Sequence, residues 1–105
     1  MPMASTDIER LQDKAGDAAR LLALIANEKR LLMLCRLVSG EAVVGELVDL
    51  TGLAGSAVSQ HLAKLKAEGI VTSRKAGLNV YYRLADDRAA RVISVLKDIY
   101  CPDPE

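Results

Sequence analysis

The chain has 105 residues, half of them hydrophobic and 27% charged, a mixture that suits one globular domain and excludes disorder. Fourteen Lys and Arg balance fourteen Asp and Glu, so a general attraction to DNA or anionic lipid is excluded and any basic surface has to be local. With no Trp, no Phe and three Tyr, the core has to be aliphatic, and an aromatic platform for single-stranded bases is excluded.

No apolar run reaches the ~18 residues of a transmembrane helix. The opening Met1-Pro2-Met3-Ala4-Ser5-Thr6-Asp7 has neither a basic region nor a following apolar one, which predicts no signal peptide and a cytoplasmic protein. There a permanent disulfide between the two cysteines, Cys35 and Cys101, is not expected. They are either two core hydrophobes or a redox pair. Two thiolates do not by themselves complete a zinc site.

In chain order, residues 7–26 predict a helix capped by Asp7, with Ile8, Leu11, Ala15, Ala18, Leu22 and Ile25 at helical spacing. Asn27 can cap a second helix, in which Leu31, Leu32, Leu34, Cys35 and Val38 recur before Ser39-Gly40 ends it. A short third helix runs from about Val44 to Leu50 and stops at Thr51-Gly52. A fourth covers about Ser56 to Glu68, with Val58, Leu62 and Leu65 inward and Gly69 as its C-terminal cap.

The period then changes. Ile70-Val71-Thr72 and Val80-Tyr81-Tyr82-Arg83-Leu84 are β-branched and aromatic. Arg74 to Asn79 between them reads as a turn, since Gly77 and Asn79 tolerate positive φ. The expectation is a hairpin over 70–84 with a basic tip. Asp86 can cap a last helix carrying Ala89, Val92, Val95, Leu96 and Ile99, which Pro102 ends near Tyr100 or Cys101. The predicted order is α-α-α-α-β-β-α: a mainly α domain with one β-hairpin spanning 1–105.

Two helices joined by Thr51-Gly52-Leu53-Ala54-Gly55 suit a helix-turn-helix over 44–68, and the hairpin that follows suits a wing. Charge gathers there. From Ala54 to Leu84 five bases (Lys64, Lys66, Arg74, Lys75, Arg83) face one acid, Glu68, a net of +4 that leaves −4 for the rest. Such a surface either faces phosphate or is an ordinary solvated face. Ser56, Ser59, Gln60 and Lys64 interleave with the inward residues of the fourth helix, and Ser and Gln can bond base edges in the major groove. A helix needing only solubility would more often carry Glu/Lys pairs. His61 is a phosphate donor or a packing residue. Candidate DNA contacts are therefore Ser56, Ser59, Gln60, His61, Lys64, Arg74 and Lys75.

The strings Ser56-Ala57-Val58-Ser59-Gln60-His61-Leu62, Leu65, Gly69-Ile70-Val71 and Gly77…Val80-Tyr81-Tyr82-Arg83-Leu84 resemble the ArsR/SmtB family of winged-helix bacterial repressors. The resemblance runs from about residue 20 to residue 100. It departs at Gly55, where many members carry Gln, and at Leu78, where many carry Arg, and each departure removes a plausible DNA contact.

The resemblance implies that a ligand releases the DNA. Thiolate clusters bind metals and arsenicals on the third helix of some members, but Val44-Gly45-Glu46-Leu47-Val48-Asp49-Leu50 holds no Cys. The zinc site of others needs Asp and His on the last helix. Here Asp86 and Asp87 stand without a His, His61 being the one His of the chain, and they suit an N-cap and first turn instead. The expectation is no metal and no cofactor.

Cys35 on the second helix and Cys101 after Ile99-Tyr100 resemble the sulfide- and persulfide-responsive subgroup of the family. That resemblance implies that persulfide or oxidant modifies one thiol, that the other resolves it, and that a disulfide or polysulfide bridge lowers DNA affinity. Cys35, beside Leu31 and Val38, is expected to be the more buried. A helix C-terminus opposes thiolate formation at Cys101, with Lys97 and Arg36 the cations available to offset it.

The apolar stripes of the first (1–26) and last (86–101) helices exceed what so small a domain buries, which predicts a homodimer and a pseudo-palindromic operator in double-stranded DNA. The reading is a repressor induced by reactive sulfur species, with no membrane partner. A metalloid-responsive repressor using the same two thiols, and a winged-helix protein-interaction module, are the alternatives. No Cys-x-x-Cys, phosphate loop or cofactor motif points to an enzyme.

Overall fold

A computed structural model describes residues 4–101, arranged as α1 (Ser5–Ile25), α2 (Glu28–Val38), α3 (Val44–Thr51), α4 (Gly55–Ala67), β1 (Val71–Ala76), β2 (Asn79–Leu84) and α5 (Asp87–Tyr100). This is the element order expected: five helices and one hairpin. Pro102 lies outside the described residues.

The helix starts follow local hydrogen bonding. The Asn27 side chain accepts from the Arg30 N–H at 3.0 Å, and Asp86 accepts from the N–H groups of Arg88 (2.8 Å) and Ala89 (3.1 Å), so both satisfy orphan donors as caps. Asp7 does not cap α1. The helix begins at Ser5 after Ala4, because the Asp7 N–H already bonds to the Ala4 carbonyl at 3.0 Å. Asp7 is instead a first-turn acid, aligned with the helix dipole.

Met33, Leu34 and Leu37 of α2 lie at the centre of an all-aliphatic core with Leu24, Ile25, Leu47, Val58, Leu62, Leu65, Ile70, Ala89 and Ile93. Leu31, Cys35 and Val38 of α2 pack partly buried against this core, as expected of that face. α2 packs against α3, β2 and α5. Met33 is wholly enclosed. By contrast α1 buries only Leu24 and Ile25, and Ile8, Leu11 and Leu22 remain about half exposed.

Thr51 fastens the link between α3 and α4. Its hydroxyl donates to the Leu47 carbonyl at 2.7 Å and accepts from the Leu53 N–H at 3.2 Å, and Gly52 follows at φ +73°. At the far end of α4, Gly69 (φ +76°) lets its own N–H reach Lys66 O at 3.0 Å and the Ile70 N–H reach Leu65 O at 2.9 Å. That double bond pattern ends the helix and turns the chain into β1.

The hairpin falls where expected, but its strands run further into the turn. β1 and β2 pair antiparallel from Val71↔Leu84 to Ala76↔Asn79, closed by Gly77-Leu78. Gly77 at φ +62° allows a two-residue reversal, so the ladder runs through Arg74 and Lys75 rather than stopping before them. The tip is therefore not basic: Leu78 occupies it, fully exposed. Ala42, between α2 and α3, adds a bridge to Tyr82 through bonds of 3.0 and 2.8 Å, which anchors the hairpin to the helical body.

Candidate nucleic-acid interface and thiol pair

Ser56, Ser59, Gln60 and Lys64 share the exposed face of α4, while Val58, Leu62 and Leu65 anchor its opposite face in the core. The spacing of three, four and eight residues makes this one helix face. His61 is half buried at the edge of that face. Lys66, in the last turn of α4, donates to the Ser73 hydroxyl on β1 at 2.8 Å. This link ties the helix to the hairpin. It was legible in sequence only as another positive charge.

The two basic residues of β1 differ. Alternation along a strand sends Arg74 and Lys75 to opposite faces. Lys75 is exposed. Arg74 forms an ion pair with Glu41 and lies over the Tyr81 ring, 4.7 Å from its centroid. Glu41, between α2 and α3, carries no motif signal because its partner is 33 residues away. The Arg74 hydrogen bond, ahead of any effect of burial, holds the Glu41 carboxyl below its ordinary value.

The packing of α2 against α5 brings Cys35 into the electrostatic reach of two α5-end residues. Burial pushes the Cys35 thiol up, the Lys97 ammonium pulls it down, and the Cys101 sulfur pushes it up again. Cys35 is partly buried and Cys101 exposed, both as free thiols, the order of accessibility expected. Arg36 does not serve Cys35. Its guanidinium donates to the carbonyls of Gly40 and Glu41, both at 3.1 Å, and to Glu46 at 2.8 Å. Lys97 is thus the cation that favours the Cys35 thiolate.

Among the described residues no three His, Cys, Asp or Glu side chains group to hold a metal ion, and no helix is long and apolar enough to cross a membrane.

Comparison with known proteins adds to this geometry. The sequence pattern described as "Bacterial regulatory protein, arsR family" matches residues 27–73, from the cap of α2 into β1. The HTH-type transcriptional regulator YgaV of Escherichia coli is 39% identical over 98 residues, covering 92% of this chain and 99% of the relative. The structure of reduced HlyU from Vibrio cholerae superposes with a TM-score of 0.83 at 39% identity, over 89% of this chain and 98% of that one. The transcriptional repressor BigR from Xylella fastidiosa superposes with a TM-score of 0.82 at 35% identity, over 96% and 100% respectively.

Proposed function

This chain belongs to the arsR family of bacterial regulatory proteins, and we propose that it is a homodimeric repressor that leaves its operator when reactive sulfur or an oxidant bridges Cys35 and Cys101. At the coarser level it is a DNA-binding transcriptional repressor of that family and not an enzyme. The finer reading is supported by one observation: α2 packs on α5, with the partly buried Cys35 on the first and the exposed Cys101 at the end of the second.

The chemistry balances with a low-molecular-weight persulfide as oxidant. One thiolate attacks the sulfane sulfur of glutathione persulfide, forming a protein persulfide and releasing glutathione. The second thiol attacks the inner sulfur of that protein persulfide, closing a disulfide and expelling hydrogen sulfide. Alternatively the protein persulfide and the second thiol give up two electrons and two protons to another persulfide, which leaves as glutathione and hydrogen sulfide. The product is then a trisulfide. A disulfide needs Cα atoms roughly 4.4–6.8 Å apart, and a polysulfide spans more.

DNA reading is assigned to Ser56, Ser59, Gln60 and Lys64, with Lys75 and Arg74 on phosphates and His61 at the edge. Dimerisation is assigned to α1 and α5, where Ile8, Leu11, Leu22, Val95, Ile99 and Tyr100 stay exposed in the single chain. An apolar set of this size on two helices marks an association surface. Two-fold symmetry then gives half-sites about one helical turn, roughly 34–36 Å, apart.

The test is intact mass beside DNA binding. After treatment with glutathione persulfide or, separately, peroxide, a gain of about 30 or 62 Da, one or two sulfurs less two hydrogens, marks a polysulfide bridge, and a loss of about 2 Da marks a plain disulfide. Either change is expected to accompany loss of an operator that the reduced protein has selected from random duplex. Release with no bridged mass would overturn the two-thiol mechanism.

A further inference from the structure

The wing carries an arginine that is already held. Arg74 donates from Nε to Glu41 Oε2 at 2.8 Å and from Nη2 to Oε1 at 2.9 Å. Its cross-strand partner Tyr81 supplies the ring on which the guanidinium rests. Glu41 lies outside both α4 and the hairpin, in the corner between α2 and α3, and that corner is itself fixed. Arg36 takes the carbonyls of Gly40 and Glu41, and Ala42 exchanges backbone bonds with Tyr82.

A guanidinium has five N–H donors, and a carboxylate on Nε and Nη2 leaves three of them unused. The Arg74 side chain is 55% exposed, so it stays open to a second acceptor while Glu41 holds it. A free arginine would lose rotamer entropy on meeting a phosphate, and a held one has lost most of it already. We propose that Glu41 is a positioning residue for DNA binding: it fixes Arg74 on the wing in the conformation whose remaining donors meet a DNA phosphate. The inference rests on the DNA-binding reading above and adds a residue from outside the reading helix and wing.

The sign of the effect separates this role from its opposite. A carboxylate near DNA repels phosphate, so if repulsion were all that Glu41 did, removing its charge would tighten binding. A positioning role gives weaker binding, and only while Arg74 is present. The experiment measures fluorescence anisotropy of a short labelled duplex of mixed sequence at low salt, since a phosphate contact is independent of sequence. The proteins are wild type, Glu41→Gln, Arg74→Ala, the double variant and Lys75→Ala, with circular dichroism confirming that each is folded.

Glu41→Gln is expected to weaken binding about threefold, the scale of an exposed ion pair, and to have no further effect in the Arg74→Ala background. A general loss of structure would not vanish in that background. An undiminished effect in the double variant, unchanged binding, or tighter binding overturns the positioning role. Lys75→Ala separates the two readings. If it weakens binding while Glu41→Gln does not, only the positioning role falls; if wild type binds no duplex, both fall.

Discussion

Lys66 of α4 donates to Ser73 of β1 across 2.8 Å, a direct tie between the fourth helix and the hairpin. The chain is neutral as a whole, yet the segment bearing this link has five bases and one acid. Affinity for DNA should therefore depend on a few residues and fall steeply with salt.

Lys75 is the clearest of these. Lys75→Ala is expected to weaken binding across all sequences and to reduce the salt slope by about 1. Arg74→Ala should also weaken binding, with a smaller slope change, because Glu41 already offsets part of its charge. Titrations at several salt concentrations check both. An unchanged slope in the double variant would remove the wing from the interface.

Gln60 lies on the exposed α4 face beside Ser59. Gln60→Ala is expected to cost about 1–3 kcal/mol on the selected operator and much less on random duplex. Equal losses on both would assign Gln60 to phosphate contact or to folding.

Cys35→Ser and Cys101→Ser should each bind DNA in the reduced state and each lose the response to persulfide, since one thiol cannot close a bridge. A hundredfold release corresponds to about 2.7 kcal/mol of coupling between bridge and DNA. Full release in either variant, read by anisotropy, would leave the other thiol acting alone.

Thiol reactivity gives a separate check. Burial raises the Cys35 pKa while Lys97 opposes the rise, and Cys35 is partly buried where Cys101 is exposed, so Cys35 should alkylate more slowly than Cys101. Lys97→Ala removes the opposing charge, raises the Cys35 pKa further and should slow its alkylation at pH 7. Mass-resolved alkylation kinetics across pH decide it, and an unchanged Cys35 rate would mean that Lys97 does not act on the sulfur.

The cap at Asp86 makes a stability prediction with a defined sign. Burial raises its pKa, but the Ala89 N–H bond and the Arg88 contacts outweigh this, and the net shift is downward. Its contribution is therefore present above the unfolded carboxyl pKa and lost as pH falls through the lower folded value. Asp86→Ala should cost about 1 kcal/mol at pH 7 and progressively less toward that acid limit. Urea unfolding at the two pH values tests it. An equal loss at both would point to packing instead of the charged cap.

What the sequence alone determined is local. Periodicity, caps and glycines operate within a few residues, so the element order, the Asn27 and Asp86 caps, the Gly69 terminus and the inward Val58, Leu62 and Leu65 of α4 were all readable. The start of α1 at Ser5 and the strand pairing past Lys75 depart from the local signals, because a first turn can form without a side-chain cap and a two-residue reversal at Gly77 lets polar residues pair. Tertiary structure decided what depends on partners far apart in the chain: the enclosure of Met33 by α2's neighbours, Arg36 turned toward Glu46, α5 packed on the helix that carries Cys35, and Glu41 on Arg74. Such contacts arise when packed helices bring distant side chains within a few ångströms, and that distance has no signature in residue spacing.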